Sequence, residues 1–176
     1  MQQQHILFVI GASGVGKTTA VETLAERGLA DVACFHFDSI GVPTLEEMSR
    51  AFGSTERWQE ATTHEWIARL KGRSERFLIL EGQTRPSFIL AGLAGTRDTA
   101  GIVLLDCTPA VRSQRLRSER QQPELDTSQM NQWAAYLRGQ ADALHLPVID
   151  TTLLTANHVA DELHERARTV PLWATA

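Results

Sequence analysis

FVIGASGVGKTTAVETL, residues 8–24, is the stretch that decides the fold. Its centre has the pattern G-x-x-x-x-G-K-T, which begins at Gly11 and ends at Thr18. Glycines at these positions let the backbone curl so that several N–H groups point at phosphate oxygens. A helix that begins at Lys17 adds the positive end of its dipole to the same place. The stretch therefore predicts a phosphate-binding loop between a strand and a helix.

The fixed positions of this loop predict its ligands. Lys17 is expected to reach the β- and γ-phosphates of a nucleoside triphosphate, and the hydroxyl of Thr18 is expected to ligate Mg²⁺. A glycine-rich turn without a ligand is the alternative, but a strand before the loop, a helix after it and every fixed position filled argue against that. The residues expected to hold the nucleotide are Gly11, Ala12, Ser13, Gly14, Val15, Gly16, Lys17, Thr18 and Thr19.

Apolar runs rich in β-branched residues alternate with segments of helical periodicity along the chain. This alternation predicts a three-layer α/β/α fold with a five-stranded parallel sheet covered on both faces. Strands are expected at 5–10, 32–37, 76–82, 100–107 and 146–151, and helices at 17–27, 45–52, 56–70, 130–144 and 157–168, with a further helix from 109. We predict a single domain over 1–176, with an insertion at 39–72 on the side where parallel sheets bind ligands.

Composition narrows the class of protein. A chain of 176 residues suits one domain. A net charge of −4 and a pI of about 5.9 argue against nucleic acid as a main partner. The sequence has neither a long apolar window nor a basic, signal-like start, so we expect no membrane contact and a cytoplasmic location. Cys34 and Cys107 lie in apolar runs and are interpreted as reduced core residues, and the sequence does not determine the oligomeric state.

Two carboxylates follow predicted strands at the expected ligand edge. Asp38 follows the second strand, where it could orient or deprotonate an acceptor hydroxyl, hold a magnesium-bound water or simply cap a turn. Glu81 ends the third strand, where it could bind Mg²⁺ through water, polarise a water, bind substrate or lie on the surface. Gly82 permits close approach of a ligand to the backbone, and Arg85 could bind an anionic group.

Four arginines follow the fourth strand within nine residues. On an unbroken helix Arg112 and Arg115 lie about 60° apart, while Arg117 and Arg120 form a second pair turned away from them. A break in the helix near 117–120 would let the second pair fold back over the nucleotide as part of a lid at 112–130. A solvated helix face is the alternative. Arg138 follows this segment and either returns to the site or pairs at the surface.

Aromatic and imidazole side chains elsewhere favour structural roles. Trp58, Trp66 and Trp133 lie at helical positions and are expected to form core or cleft wall. His36 lies on a strand between phenylalanines, which favours a packed imidazole over a catalytic one.

The order of these motifs resembles that of the P-loop kinases of small molecules, a group with nucleoside monophosphate, shikimate, gluconate and dephospho-coenzyme A kinases. The resemblance rests on GASGVGKTT, Asp38, LEG, LLDCTPAVRSQRLRSER and VIDTT, and it covers about residues 5–168. It implies strand order 2-3-1-4-5 and an arginine-rich lid. It also implies Arg115, or its rival Arg112, near the adenine or the lid hinge, and Arg120 at the phosphates.

The sequence departs from named subfamilies on the acceptor side. FDSIG and LEGQT stand where shikimate kinases carry D-x-D and a triple glycine. Nucleoside monophosphate kinases carry more arginines after the second strand, where this chain offers only Arg50 and Arg57. The resemblance therefore implies the superfamily and leaves the acceptor open.

These observations predict an ATP-dependent kinase that acts on a small molecule. The residues expected to act in catalysis are Lys17, Asp38, Arg115 and Arg120. Those expected to bind the acceptor are Asp38, Arg57, Glu81, Gly82, Arg85 and Arg138. A nucleotide-dependent switch or accessory ATPase that acts on a partner protein is the alternative, kept open by Glu81. The sequence has no N-K-x-D motif, which disfavours a GTPase.

Overall fold

A parallel five-stranded sheet forms the centre of the computed structural model, which describes residues 4–94 and 99–169. The strand order is β2-β3-β1-β4-β5, so the predicted three-layer fold and its sheet order are confirmed. Every pair of neighbouring strands is parallel. The strands are β1 (His5–Ile10), β2 (Val32–His36), β3 (Phe77–Gly82), β4 (Thr99–Asp106) and β5 (Val148–Asp150).

Helices cover both faces of this sheet. They are α1 (Lys17–Ala25), α2 (Leu45–Phe52), α3 (Thr55–Lys71), α4 (Pro86–Leu93), α5 (Pro109–Gln114), α6 (Ser128–Ala143) and α7 (Ala156–Thr169). Helices α1 and α7 pack together over one face, with Val21 and Leu163 in that core. The other face carries α3 and α4, with Trp66 and Ile89 in its core. None of the helices in the two described ranges is long and apolar enough to cross a bilayer.

Local sequence signals explain where the insertion helices begin. Thr44 caps α2 and forms a reciprocal capping box with Glu47, so two otherwise unpaired backbone donors are satisfied. Ser54 caps α3 through a single hydrogen bond, in which its hydroxyl accepts from the backbone N–H of Arg57. Trp58 and Trp66 belong to α3 and are buried, as predicted, and the Trp66 indole donates to the Phe37 carbonyl at 2.9 Å.

Three local features differ from the sequence-based expectation. β2 ends at His36 because a 3₁₀ turn, Phe37–Ile40, follows at once. Helix α4 was not predicted, since its sequence PSFILAGL shows no polar face, although Pro86 suits a first helical turn. The helix from Pro109 changes at Arg115 to a π-helical turn, Arg115–Glu119, which alters the direction of the side chains after it.

The two cysteines lie where the apolar runs placed them. Cys107 is buried and Cys34 is half-buried, and neither forms a disulfide. Burial raises the pKa of the Cys34 thiol to about 11 and raises that of Cys107 as well. Both side chains are therefore neutral thiols near pH 7.

Candidate active site

The loop between β1 and α1 is shaped by glycines at close backbone contacts. A Cβ at Gly11 would lie 2.6 Å from the Leu105 carbonyl oxygen, so any side chain there would collide with β4. Gly14 has a φ of 83° and leaves room for Arg112 and Leu116, whose Cγ atoms would lie 2.9 Å from an added Cβ. Only glycine satisfies these two requirements without strain. The loop is therefore held against β4 and the first turns of the arginine-rich segment.

Lys17 is a buried cation at the first residue of α1. Its side chain is 7% exposed, and its ammonium donates to the Ala12 carbonyl at 3.0 Å. Burial lowers the pKa of Lys17; Glu81 and Asp38 oppose this shift, and Arg120 adds to it. Because a buried ammonium is costly without an anion, the loop is well suited to bind phosphate groups. The burial of the Lys17 ammonium is therefore the observation that supports the fit of ATP to these residues.

Glu81 joins the phosphate loop to the edge strand. One of its oxygens, Oε1, accepts from the Thr18 hydroxyl at 3.2 Å and lies 2.9 Å from Nδ1 of His36. Glu81 is 6% exposed and pairs in register with His36 across β2 and β3. A carboxylate can only accept, so Nδ1 of His36 carries the proton of this bond. Glu81 and Thr18 thus bring together oxygen atoms of the kind that Mg²⁺ prefers as ligands.

Asp38 lies on the 3₁₀ turn after β2, at the mouth of the same site. Its side chain is exposed to solvent. The surrounding protein still displaces enough water to raise the pKa of Asp38, and the negative charge of Glu81 raises it further, while Lys17 and His36 act in the opposite direction. Asp38 is therefore a stronger base than an isolated aspartate and lies within the field of the phosphate-binding lysine.

A cleft of about 280 Å³ lies on the other side of the loop. Arg115 forms one wall: its guanidinium donates to the Thr151 carbonyl at 2.7 Å and to the Thr151 hydroxyl at 3.0 Å. The Thr151 hydroxyl in turn donates to the Val15 carbonyl at 2.8 Å. Leu154 adds an apolar wall. The loop after β5 is thus fixed to the phosphate loop, and the cleft between them can accept a nucleoside.

The four arginines after β4 point in different directions. Arg120 lines the cleft, and its side chain forms no hydrogen bond or ion pair with any residue in the described ranges. Arg117 points outward and pairs with Asp126 at 2.6 Å. Arg112 is buried and hydrogen-bonds to Asn131 on α6. Arg112 does not line the cleft, so its assignment to the nucleotide stays a prediction without a contact to support it.

A chain of polar contacts connects the phosphate loop to the insertion. Gln83 donates to the Ser13 hydroxyl at 2.9 Å, and Gln59 donates to the Gln83 carbonyl at 2.7 Å. Arg85 donates to the Gln59 side chain at 2.7 Å and lies 3.5 Å from a Glu56 oxygen. Helix α3 is thereby tied to the loop after β3.

Three rings surround the Arg85 guanidinium. Its central carbon lies 5.2 Å from the Trp133 ring, 5.4 Å from Phe88 and 5.7 Å from Tyr136. Trp133 and Tyr136 belong to α6 and stack on each other. Arg85 therefore bridges α3 and α6.

The remaining predicted acceptor residues are spread over the rim. Gly82 lies beneath Phe37, whose Cβ would be 2.4 Å from an added Cβ. Arg57 is exposed, and its side chain lies over Gly53 at the junction of α2 and α3. Arg138 is half-exposed and pairs with Asp142 at 3.1 Å and with Asp106 at 3.5 Å. The structure therefore brings Asp38 and Glu81 together at the loop and leaves Arg57 and Arg138 in surface contacts.

Sequence reasoning did not assign three residues of this network to the site. His36 was expected to be a packed imidazole, but it contacts Glu81 and is partly exposed. The sequence signal that could have placed His36 at the site is its position two residues before Asp38. Gln83 follows LEG directly, whereas Gln59 lies on a distant helix and no local pattern indicates it.

Several solved structures are similar to almost the whole chain. The tunicamycin resistance protein of Deinococcus radiodurans is 22% identical, with a TM-score of 0.64 over 93% of this chain and 95% of that one. A gluconokinase from Sinorhizobium meliloti is 16% identical, with a TM-score of 0.62 over 97% and 95%. Shikimate kinase from Acinetobacter baumannii, in complex with shikimate, is 20% identical, with a TM-score of 0.56 over 95% and 94%.

These comparisons show the fold. No family model matches the sequence. No curated protein sequence matches it either. The chain has the fold of the P-loop kinases of small molecules, as the resemblance in its motifs implied.

Proposed function

We propose that the protein is an ATP-dependent kinase that transfers the γ-phosphoryl group to a small-molecule acceptor. The observation that carries this proposal is the position of Lys17. It is a buried lysine whose charged neighbours are two carboxylates, Asp38 and Glu81, and one arginine, Arg120. The carboxylates could take up the proton of an acceptor hydroxyl, and the basic side chains could stabilise the negative charge of the phosphates.

The nucleotide would lie along the phosphate loop. Backbone N–H groups of Gly14 and Gly16 and the Lys17 ammonium would bind its phosphates, and the cleft beside Arg115 and Thr151 would take the nucleoside. Thr18 would hold Mg²⁺ directly and Glu81 through water, and the ion would neutralise charge on the β- and γ-phosphates.

The acceptor would approach from the side of β2 and β3. Its hydroxyl oxygen attacks the γ-phosphorus, the bond from that phosphorus to the β–γ bridging oxygen breaks, and ADP leaves. Asp38 takes the hydroxyl proton, for which its raised pKa suits it. The chain contributes mainly positioning and charge neutralisation, as expected for phosphoryl transfer.

The segment 112–130 would act as a lid. The side chain of Arg120 has no hydrogen-bonded or ion-paired partner among residues 4–94 and 99–169, so its guanidinium is available to the transferred phosphoryl group. Closure would also exclude water, which favours transfer over hydrolysis.

The test is transfer of label from ATP that is radioactive in its γ-phosphate. The protein is incubated with Mg²⁺ and a pool of nucleosides, nucleotides, sugars and metabolite acids, and new phosphorylated products are identified by mass. Labelled product that depends on both an acceptor and Lys17 supports the kinase. Lys17→Met serves as the control for contaminating kinases.

A slow nucleotide-dependent ATPase that acts on a partner protein is the second candidate. The contact between Thr18 and Glu81 favours it, because a buried carboxylate beside the magnesium ligand can also orient a water. ADP and free phosphate released at a rate that no acceptor changes would support this candidate instead.

A further inference from the structure

Charge is unevenly distributed on the acceptor side of the phosphate loop. From this distribution we infer that the acceptor is a neutral or cationic hydroxyl compound and not a phosphate or a carboxylate. The inference rests on the proposed kinase function and names the chemical class of its second substrate.

The position of the nucleotide cleft determines the side of the phosphate loop from which the acceptor would approach. The cleft walled by Arg115 and Thr151 would place the nucleoside next to β4 and β5. Lys17, which would bind the terminal phosphates, has Glu81 and Asp38 as its acidic neighbours next to β3 and β2, and Arg120 as its basic neighbour beside the nucleotide cleft. An acceptor in line with the γ-phosphate therefore meets this second group of side chains.

Two acidic side chains dominate this position. Asp38 and Glu81 are close enough for the charge of Glu81 to contribute to the raised pKa of Asp38. His36 contacts Glu81, but it is a single imidazole beside two carboxylates, so the acidic groups outnumber it. A phosphate or carboxylate bound here would face the negative charge of Asp38, and of Glu81 where Mg²⁺ does not offset it, in a partly desolvated site, where such repulsion is strong.

Arg85 is the cation on the loop after β3, and its guanidinium is already engaged in contacts with α3 and α6. It donates to Gln59, lies near Glu56 and is within 6 Å of the centres of three aromatic rings, with a side chain that is only 24% exposed. Turning it toward an anion would break the contacts that join α3 to α6. Arg85 is therefore a fixed wall of the acceptor site.

The other arginines of this region face away or are paired. On α3, Arg57 lies two positions before Gln59 and hence about 200° around the helix from it. Arg50 stands two positions from the buried Met48 and is exposed on the opposite face of α2. Arg138 pairs with Asp106 and Asp142. A hydroxyl group, by contrast, needs only an acceptor such as Asp38 for its proton.

The inference is tested by separating possible acceptors according to charge. A small-molecule extract of cells that express the protein is passed over a strong anion exchanger at pH 8. The flow-through contains neutral and cationic compounds, and the retained fraction contains phosphates and carboxylates. Each fraction is incubated with the protein, Mg²⁺ and γ-labelled ATP, and labelled products other than phosphate are measured.

We expect acceptor-dependent product at least about tenfold above the Lys17→Met control in the flow-through, and none above control in the retained fraction. Product formed mainly from the retained fraction would overturn the inference and leave the kinase function intact. Product from neither fraction, with ADP and phosphate still formed, would overturn the kinase proposal and this inference with it.

A matched pair of pure compounds provides the second measurement. Once an acceptor is identified, its kcat/KM is compared with that of the analogue in which a hydroxymethyl group is oxidised to a carboxylate. We expect the neutral compound to be preferred at least about 100-fold. An equal or higher value for the carboxylate contradicts the inference, whichever fraction supplied the acceptor.

Discussion

The Thr18 hydroxyl donates to Oε1 of Glu81 across 3.2 Å, which links the first turn of α1 to the end of β3. This contact places a carboxylate next to the side chain that the loop pattern assigns to Mg²⁺. Glu81→Gln keeps the shape and removes the charge. We expect turnover to fall about 10- to 100-fold, as is usual when a group that orients a metal site is changed.

The effect should depend on the concentration of Mg²⁺. In the proposed role, Glu81→Gln raises the Mg²⁺ concentration needed for half-maximal turnover, while binding of nucleotide without Mg²⁺ stays within about threefold of the wild-type value. Isothermal titration with and without Mg²⁺ measures both quantities. Unchanged turnover and Mg²⁺ dependence would rule out a role for Glu81 at the metal.

Lys17 should show opposite effects on activity and on stability. Lys17→Met removes a charge that the proposed mechanism requires, so turnover should fall at least about 100-fold. The same change removes the cost of burying an ammonium, so the free protein should be stabilised by about 1 kcal/mol, or about 2–4 °C in Tm.

The pH dependence of this stabilisation follows from the lowered pKa of Lys17. Below the folded-state pKa, the folded protein pays the full cost of the buried charge. As the pH rises from there to the unfolded-state value near 10.4, the cost is progressively removed. The stability difference between Lys17→Met and wild type should therefore decrease toward alkaline pH, as measured by thermal unfolding from pH 7 to 10.5. A variant that is less stable at pH 7 would contradict this account.

Arg120 and Arg117 have different environments although they lie three residues apart. Arg120 lines the cleft, whereas Arg117 is exposed and pairs with Asp126. Arg120→Ala should lower kcat about 100-fold because it removes positive charge from the transferred group. The Kd for ATP, measured by fluorescence titration, should change less than about threefold.

Arg117→Ala is the matched comparison, because it removes the same charge from a side chain that points outward. Its kcat should stay within about threefold of wild type. If Arg120→Ala weakened ATP binding and left turnover of bound ATP unchanged, Arg120 would be a ground-state ligand and not a transition-state one.

Much of the fold was predictable because its signals are local. The apolar runs that became β1, β3 and β4 are buried, and glycine, lysine and threonine at fixed spacing defined the loop between β1 and α1. Helix α4 could not be predicted in this way, since PSFILAGL lacks the alternation of polar and apolar faces on which helix prediction depends.

The site was less predictable because its contacts join distant parts of the chain. Glu81 could be placed at the end of a strand, but its contact with His36 depends on the register of β2 and β3. The directions of Arg117 and Arg120 depend on a change from α-helix to π-helical turn that begins at Arg115, whereas the sequence indicated a break only near residues 117–120. On a regular helix these two side chains would lie about 60° apart.

Gly82 offers a test of packing beneath the acceptor site. A methyl group at Gly82 would lie 2.4 Å from Cβ of Phe37, the residue that precedes Asp38. Gly82→Ala should therefore push Phe37 aside, destabilise the protein by about 1–3 kcal/mol and lower kcat by displacing Asp38. Gly139→Ala is the matched control, because it adds the same methyl group to α6 where nothing lies within 4 Å. That change should stabilise the protein by about 0.5–1 kcal/mol. The free energy of unfolding in urea and the kcat are measured for both variants. Equal stabilities would mean that Phe37 moves aside freely, and that its contact with Gly82 does not position Asp38.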